Sequence, residues 1–194
     1  MNVINRYRCC SEFSSSLSQM ELDSILRILV IVDVVITIFP YLTYTLAYKY
    51  TDKLPKFVTQ NVFIHFAQFL KLMEFVCGMP TLWYAGLNSV GVCIGVPMIF
   101  VGQYLNELVY TVLGDVGVYY GLEMKVVKPR RISGFPFTIG DPQYKGSLIT
   151  ILGIYFCFNS TKDLLIITMA WVFSYFYIIC IENTKSYIER KKEQ

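Results

Sequence analysis

Ile28 to Tyr48 reads ILVIVDVVITIFPYLTYTLAY, with Asp33 as its single charge. A bilayer crossing needs about 20 mostly apolar residues, and this stretch supplies them. Further apolar runs follow. Val58 to Gly78 is weaker and carries His65, Lys71 and Glu74, and Leu82 to Val112 is longer than one crossing needs. Ser147 to Phe158 and Leu164 to Ile181 are split by Asn159-Ser160-Thr161-Lys162-Asp163. The 194-residue chain is 55% hydrophobic and 16% charged, with mean hydropathy +0.48, against about 25% charged residues in soluble domains. A water-soluble globule of this length cannot hide so much apolar surface. The expectation is an all-α integral membrane protein with about five hydrophobic helices, four or five of them spanning. It divides into a polar N-terminal segment 1–23, a transmembrane domain 24–181 and a charged tail 182–194. Met1 to Asp23 lacks the apolar core of a signal peptide, so the first span is expected to be its own uncleaved signal.

Basic residues orient the spans, because cytosolic loops are enriched in Lys and Arg. Lys49, Lys53 and Lys56 follow the first span. Lys125, Lys128, Arg130, Arg131 and Lys145 follow the third, and Lys185, Arg190, Lys191 and Lys192 lie in the tail. The other side holds only Arg6, Arg8, Arg27 and Lys162, with Lys71 inside a span. Five crossings place the richer segments together in the cytosol, the C-terminus included. If the second run only dips into the interface, the N-terminus moves to the cytosol and the other loops keep their sides.

A formal net charge of +3 is too small to mark a nucleic acid as partner. With one histidine, His65, and no Cys-x-x-Cys among Cys9, Cys10, Cys77, Cys93, Cys157 and Cys180, no metal site is expected. The thiols in apolar runs read as small hydrophobes. Cys9-Cys10 is a weak acylation signal. Asn159-Ser160-Thr161 matches a glycosylation sequon, in a loop expected to hug the membrane.

Phe100 to Gly146 is not bland. Gln103, Asn106, Glu107 and Tyr110 recur at helical spacing, and Gly114, Gly117 and Gly121 continue the stripe. Two readings are open: a groove facing a ligand, or helix packing in which small residues allow close approach and amides bond across. Glu123 to Gly140 is basic and broken by Pro129, Gly134, Pro136 and Gly140, so it is not one helix. Lys125, Lys128, Arg130 and Arg131 there suit a phosphate or a lipid headgroup, beside their plain role as an orientation signal. Asp141-Pro142 then starts a helix, with Asp141 as cap and Pro142 pre-setting φ. Free N–H groups at such a start favour anions.

Several elements together resemble the phospholipid N-methyltransferase family. They are Gly102-Gln103-Tyr104-Leu105-Asn106, Val109-Tyr110, Leu113-Gly114, Gly117-Val118-Tyr119-Tyr120-Gly121, Gly134-Phe135-Pro136-Phe137 and Asp141-Pro142-Gln143-Tyr144-Lys145-Gly146-Ser147. Within that family the pattern is most similar to the plant-type phosphatidyl-N-methylethanolamine N-methyltransferases. The resemblance runs from about Val58 to the C-terminus. Pro-x-Tyr-x-Gly is also similar to an element of isoprenylcysteine carboxyl methyltransferases.

The resemblance implies a helical endoplasmic-reticulum enzyme with S-adenosyl-L-methionine as cofactor, bound on the cytosolic side. Its acceptors would be phosphatidyl-N-methylethanolamine and phosphatidyl-N,N-dimethylethanolamine, and its product phosphatidylcholine. Animal members use a Gly-x-Gly and a Glu-Glu pair for the cofactor. This chain keeps Gly102 of Phe100-Val101-Gly102 and Glu182 of Glu182-Asn183. On this basis Gly102, Gln103, Asn106, Tyr110, Tyr120, Gly121, Pro142, Tyr144, Gly146, Glu182 and Asn183 are the cofactor candidates. Phe135, Phe137, Arg130 and Arg131 are the substrate candidates, and Glu182 and Tyr144 the catalytic ones.

The chemistry agrees. Methyl transfer from a sulfonium is an in-line displacement that needs alignment and exclusion of water. It also needs a neutral amine, for which a nearby carboxylate takes the proton, and aromatic rings attract the cations involved. Tyr110, Tyr119, Tyr120 and Tyr144 are candidates for such rings, with an interfacial aromatic belt as their plain reading. A prenylcysteine carboxyl methyltransferase of the same fold and a non-catalytic multispan protein are the alternatives. Cofactor binding and the methylated product separate the three.

Overall fold

The computed structural model describes residues 3–55, 57–128 and 132–192, with side chains from Ser24 to Asn183 apart from those of Asp52, Lys56 and residues 129–131. Five helices follow in order: α1 Val3–Lys49, α2 Gln60–Ala85, α3 Ser89–Val118, α4 Pro142–Cys157 and α5 Lys162–Lys192. Four are long and apolar enough to cross a membrane: the Ser24–Lys49 part of α1, then α2, α3, and the Lys162–Asn183 part of α5. The 16-residue α4 is shorter than a crossing requires and lies along α3. The described residues form an all-α membrane bundle.

Several boundaries differ from the sequence reading. α1 is helical from Val3, with its crossing part beginning at Ser24, and α5 runs on past Asn183 into the tail. The long run Leu82 to Val112 contains a turn. Gly86 ends α2 at φ +69°, and Asn88 starts α3 by accepting the Gly91 N–H at 3.1 Å. Hydropathy cannot see this break, because Leu87 between them is apolar.

That turn is tied to the one between α4 and α5. Asn88 N–H donates to the Cys157 carbonyl and Asn159 N–H to the Gly86 carbonyl, both at 2.9 Å. The Asn159 amide nitrogen donates to the Ala85 carbonyl at 3.1 Å. The sequon asparagine is therefore a tie between two turns. The turns 86–88 and 158–161 share one end of the bundle, and the described residues of the α1–α2 connection and of 119–128 and 132–141 share the other. Tyr48 hydroxyl to Glu182 carbonyl (3.2 Å) and Gln60 amide to Tyr119 carbonyl (2.5 Å) mark that second end. Lys49, Lys53, Lys125, Lys128 and Lys145 are collected there.

α3 and α4 form an antiparallel pair seamed by glycine. A Cβ on Gly102 would collide with the Thr150 hydroxyl and the Gly146 carbonyl, and one on Gly146 would come 2.6 Å from the Gly102 carbonyl. In a bilayer, where apolar lipid removes the usual drive for helices to associate, such close backbone approach supplies the packing. The glycine stripe expected to continue along α3 is interrupted. Gly114 is non-helical at φ +68°, so the last turn of α3 swings away from the face that Gly102 and Asn106 share.

Two acidic side chains inside the spans, Asp33 and Glu74, point inward, as desolvation favours. Asp33 is fully buried beside Gly78, whose missing side chain makes the room. Glu74 accepts the Trp171 indole N–H.

Candidate active site

At the basic end of the bundle, α3 stops and the chain doubles back. The carbonyls at a helix C-terminus lack partners. Here the buried Gln60 amide supplies them from α2, donating to the Val116 carbonyl at 3.3 Å and the Tyr119 carbonyl at 2.5 Å. Tyr120 follows at φ +61°. A non-glycine residue there costs on the order of 1–3 kcal/mol and persists only where its surroundings hold it. They do so here. The Tyr120 ring packs against Tyr44, Tyr48 and Phe63, with centroids 6.2, 5.6 and 6.2 Å away. The next residue has to be glycine, because a Cβ on Gly121 would overlap the Val116 carbonyl.

The strained turn aims the Tyr120 hydroxyl at Glu182. Tyr120 donates to Glu182 Oε1 at 2.8 Å and Tyr144 donates to the same oxygen at 2.5 Å. Hydroxyl–carboxylate bonds of this length are charge-assisted and about twice as strong as neutral ones. Burial pushes the Tyr120 hydroxyl well above the ordinary phenol value, and the Glu182 carboxylate pushes it further. Tyr120 therefore stays a donor.

Tyr144 reaches Glu182 because α4 begins one turn earlier. Pro142 stands at its first position, as expected. Asp141 is the N-cap residue by position, but its backbone is left-handed and its side chain makes no cap hydrogen bond. The expected Asp141 cap is thus not formed. At φ +43° the side chain is carried away from the first-turn N–H groups, and only its carbonyl bonds forward, to the Lys145 N–H at 3.1 Å.

Around this triad all five helices contribute to one cavity of about 30 Å³, lined by Tyr41, Tyr44, Lys71, Val118, Tyr119, Tyr120, Gln143, Tyr144 and Tyr175. That volume admits a water-sized group. Tyr144 and Tyr175 meet edge to face at 6.0 Å, and Tyr41 and Tyr175 at 5.0 Å. The Tyr110 hydroxyl donates to that of Tyr119 at 3.1 Å. The cavity offers a wall of aromatic rings, two of which, Tyr120 and Tyr144, hold the Glu182 carboxylate, a combination that suits cationic groups. Among the described residues there is no group of His, Cys, Asp or Glu able to hold a metal ion.

The structure brings Glu182, Tyr144 and Tyr120 together, with Tyr110 one hydroxyl away. Asn183 is adjacent but exposed. Gly102, Gly146 and Gln103 lie on the α3–α4 seam, where the Gln103 amide donates to the Thr150 hydroxyl at 3.2 Å. The Asn106 backbone also borders Gly146. Phe135 projects outward at 62% exposure, and Phe137 is half-buried in the turn Phe137–Ile139. Arg130 and Arg131 lie outside the described residues. Sequence reasoning missed Tyr41, Tyr44 and Tyr48 of α1, Lys71 of α2 and Tyr175 of α5. The signal was there: three tyrosines at i, i+3 and i+7 share one face of an otherwise aliphatic span.

Known proteins match part of the chain. Phosphatidyl-N-methylethanolamine N-methyltransferase of Arabidopsis thaliana is 33% identical over 97 residues, covering 50% of this chain and 56% of the relative. The enzyme of that name from Schizosaccharomyces pombe is 31% identical over 113 residues, covering 56% and 54%. The chain spans about half the length of the curated relatives it matches. No solved structure matches it. The family model for phospholipid methyltransferase matches residues 90–187, from the start of α3 through α4 to just beyond Glu182. That range contains Tyr120, Tyr144 and the carboxylate they share, and the chain belongs to the phospholipid methyltransferase family.

Proposed function

We propose that the protein N-methylates phosphatidyl-N-methylethanolamine and phosphatidyl-N,N-dimethylethanolamine to phosphatidylcholine, at the cytosolic face of the endoplasmic reticulum. The observation that carries the reading is the Tyr120–Glu182–Tyr144 triad opening onto a tyrosine-lined cavity, within the segment that matches the family. S-adenosyl-L-methionine supplies the methyl group as a sulfonium when bound. Tyr144, Tyr175 and Tyr41 present ring faces to cationic groups, each such contact being worth about 0.5–2 kcal/mol. Glu182 holds the proton that leaves the acceptor amine, which must be neutral to attack. Tyr120 and Tyr144 fix that carboxylate by two hydroxyl bonds, so it need not reorganise as charge moves. The collection of Lys49, Lys53, Lys125 and Lys128 at this end supports a cytosolic orientation.

The test is incubation of the purified protein with labelled S-adenosylmethionine and each of the three amine lipids. Labelled dimethyl lipid and phosphatidylcholine are expected from the partly methylated acceptors. No labelled lipid from any of them would overturn the reading.

A further inference from the structure

We propose that Lys71 is the anchor for the phosphate of the acceptor lipid, which reaches the cavity sideways from the bilayer between α2 and α3. This rests on the function proposed above and names how its substrate is held.

Lys71 stands inside a membrane-spanning helix, three turns in from Gln60, and is exposed on the flank of the bundle. A lysine at a span's centre costs about 2.5–3.5 kcal/mol, so it needs a partner or a route to water. Its ammonium turns toward the end of α3, 5.3 Å from the centroid of the Tyr119 ring, and lines the tyrosine cavity. It is the cationic side chain of that lining. The opening beside it follows from the packing. α3 lies against α4 along its length, and α1 against both α2 and α5, whereas α2 and α3 scarcely touch. A lipid entering there meets few packed contacts beyond the Gln60 bonds to the end of α3.

The charges run in the order that the headgroup needs. Tyr119 and Tyr120 both stand edge-on to Tyr44, at 6.5 and 6.2 Å. Lys71 lies against the first and Glu182 is bonded to the second. A phosphoethanolamine group carries an anionic phosphate, two carbons and an amine. With the amine at Glu182, the phosphate falls on the side that Lys71 occupies. The cofactor's carboxylate has the same anionic chemistry, but it arrives from water, and Lys71 sits on a flank open to lipid.

The experiment compares wild-type, Lys71→Gln and Lys71→Arg proteins reconstituted in phosphatidylcholine vesicles doped with phosphatidyl-N-methylethanolamine. Lys71→Gln is expected to raise the KM for that lipid at least tenfold and to leave cofactor affinity by calorimetry within twofold. Lys71→Arg is expected to return KM to within threefold. An unchanged KM in Lys71→Gln would overturn the proposal. So would a weakened cofactor affinity with lipid KM intact, which assigns Lys71 to the cofactor's carboxylate. Direct lipid binding keeps the question open to test without turnover. In detergent, phosphatidyl-N-methylethanolamine should raise the melting temperature of wild type and not of Lys71→Gln. An equal rise in both rejects the anchor, whereas binding without methylation rejects the proposed reaction and leaves the anchor standing.

Discussion

The Tyr144 hydroxyl lies 2.5 Å from Glu182 Oε1 although 38 residues separate the two. One opens α4 and the other lies where α5 leaves its membrane-spanning part. The bond therefore reports the relative placement of two helices as well as the poise of a carboxylate.

Glu182→Gln keeps the shape of the side chain and an oxygen for the two tyrosines, but it cannot take a proton. We expect it to insert and fold normally and to lose about 100-fold or more in turnover, within the usual range for a positioned acid or base. Methyl transfer by a variant that elutes and melts like wild type is the measurement. Near-normal turnover would remove Glu182 from the chemistry.

Two substitutions in the first turn of α4 should fail in different ways. Tyr144→Ala removes a cavity wall and a donor to Glu182, and should weaken cofactor binding by about 0.5–2 kcal/mol, roughly 2- to 30-fold, in titration calorimetry of the folded protein. Gly146→Leu forces a side chain into α3, where even a Cβ meets the Gly102 carbonyl at 2.6 Å. Overpacking of this kind costs about 1–3 kcal/mol or more, and should appear as a lower melting temperature. A Gly146→Leu protein that melts normally would contradict the seam.

Alkaline pH should destabilise the protein through Tyr120. Its folded value is raised well above the usual 10.0, so above about pH 10 the unfolded chain releases this proton while the folded chain keeps it. Stability is then present below pH 10 and falls as pH rises past it. Denaturant midpoints in detergent should drop between pH 9 and 11, and Tyr120→Phe should drop less. Equal slopes would show that Tyr120 titrates alike in both states.

The basic end of the bundle should face the cytosol. Protease added to intact microsomes should remove a C-terminal tag and leave a tag inserted in the 158–161 turn untouched. Protection of the C-terminal tag would invert the orientation and place the site away from cytosolic S-adenosylmethionine.

The sequence by itself determined the class of the fold and the pieces of the site. Apolar runs of crossing length leave no soluble alternative, because hydropathy is a property of composition. Pro142 at a helix start and Glu182 at the end of the last span were legible from local backbone and charge rules, and Gly102 and Gly146 stood out through the family resemblance. Only the tertiary structure decided which of these meet. Gly102 and Gly146 became a packing seam because two backbones come within contact distance across α3 and α4, which no spacing along one helix can reveal. The break at Gly86 stayed hidden because the turn it makes is apolar, and hydropathy averages over it. Tyr41, Tyr44 and Lys71 entered the cavity because α1 and α2 pack on the far side of the doubled-back chain at Tyr120. Long-range packing chose their faces, and a helix that is apolar nearly all round carries little periodic signal to announce that choice.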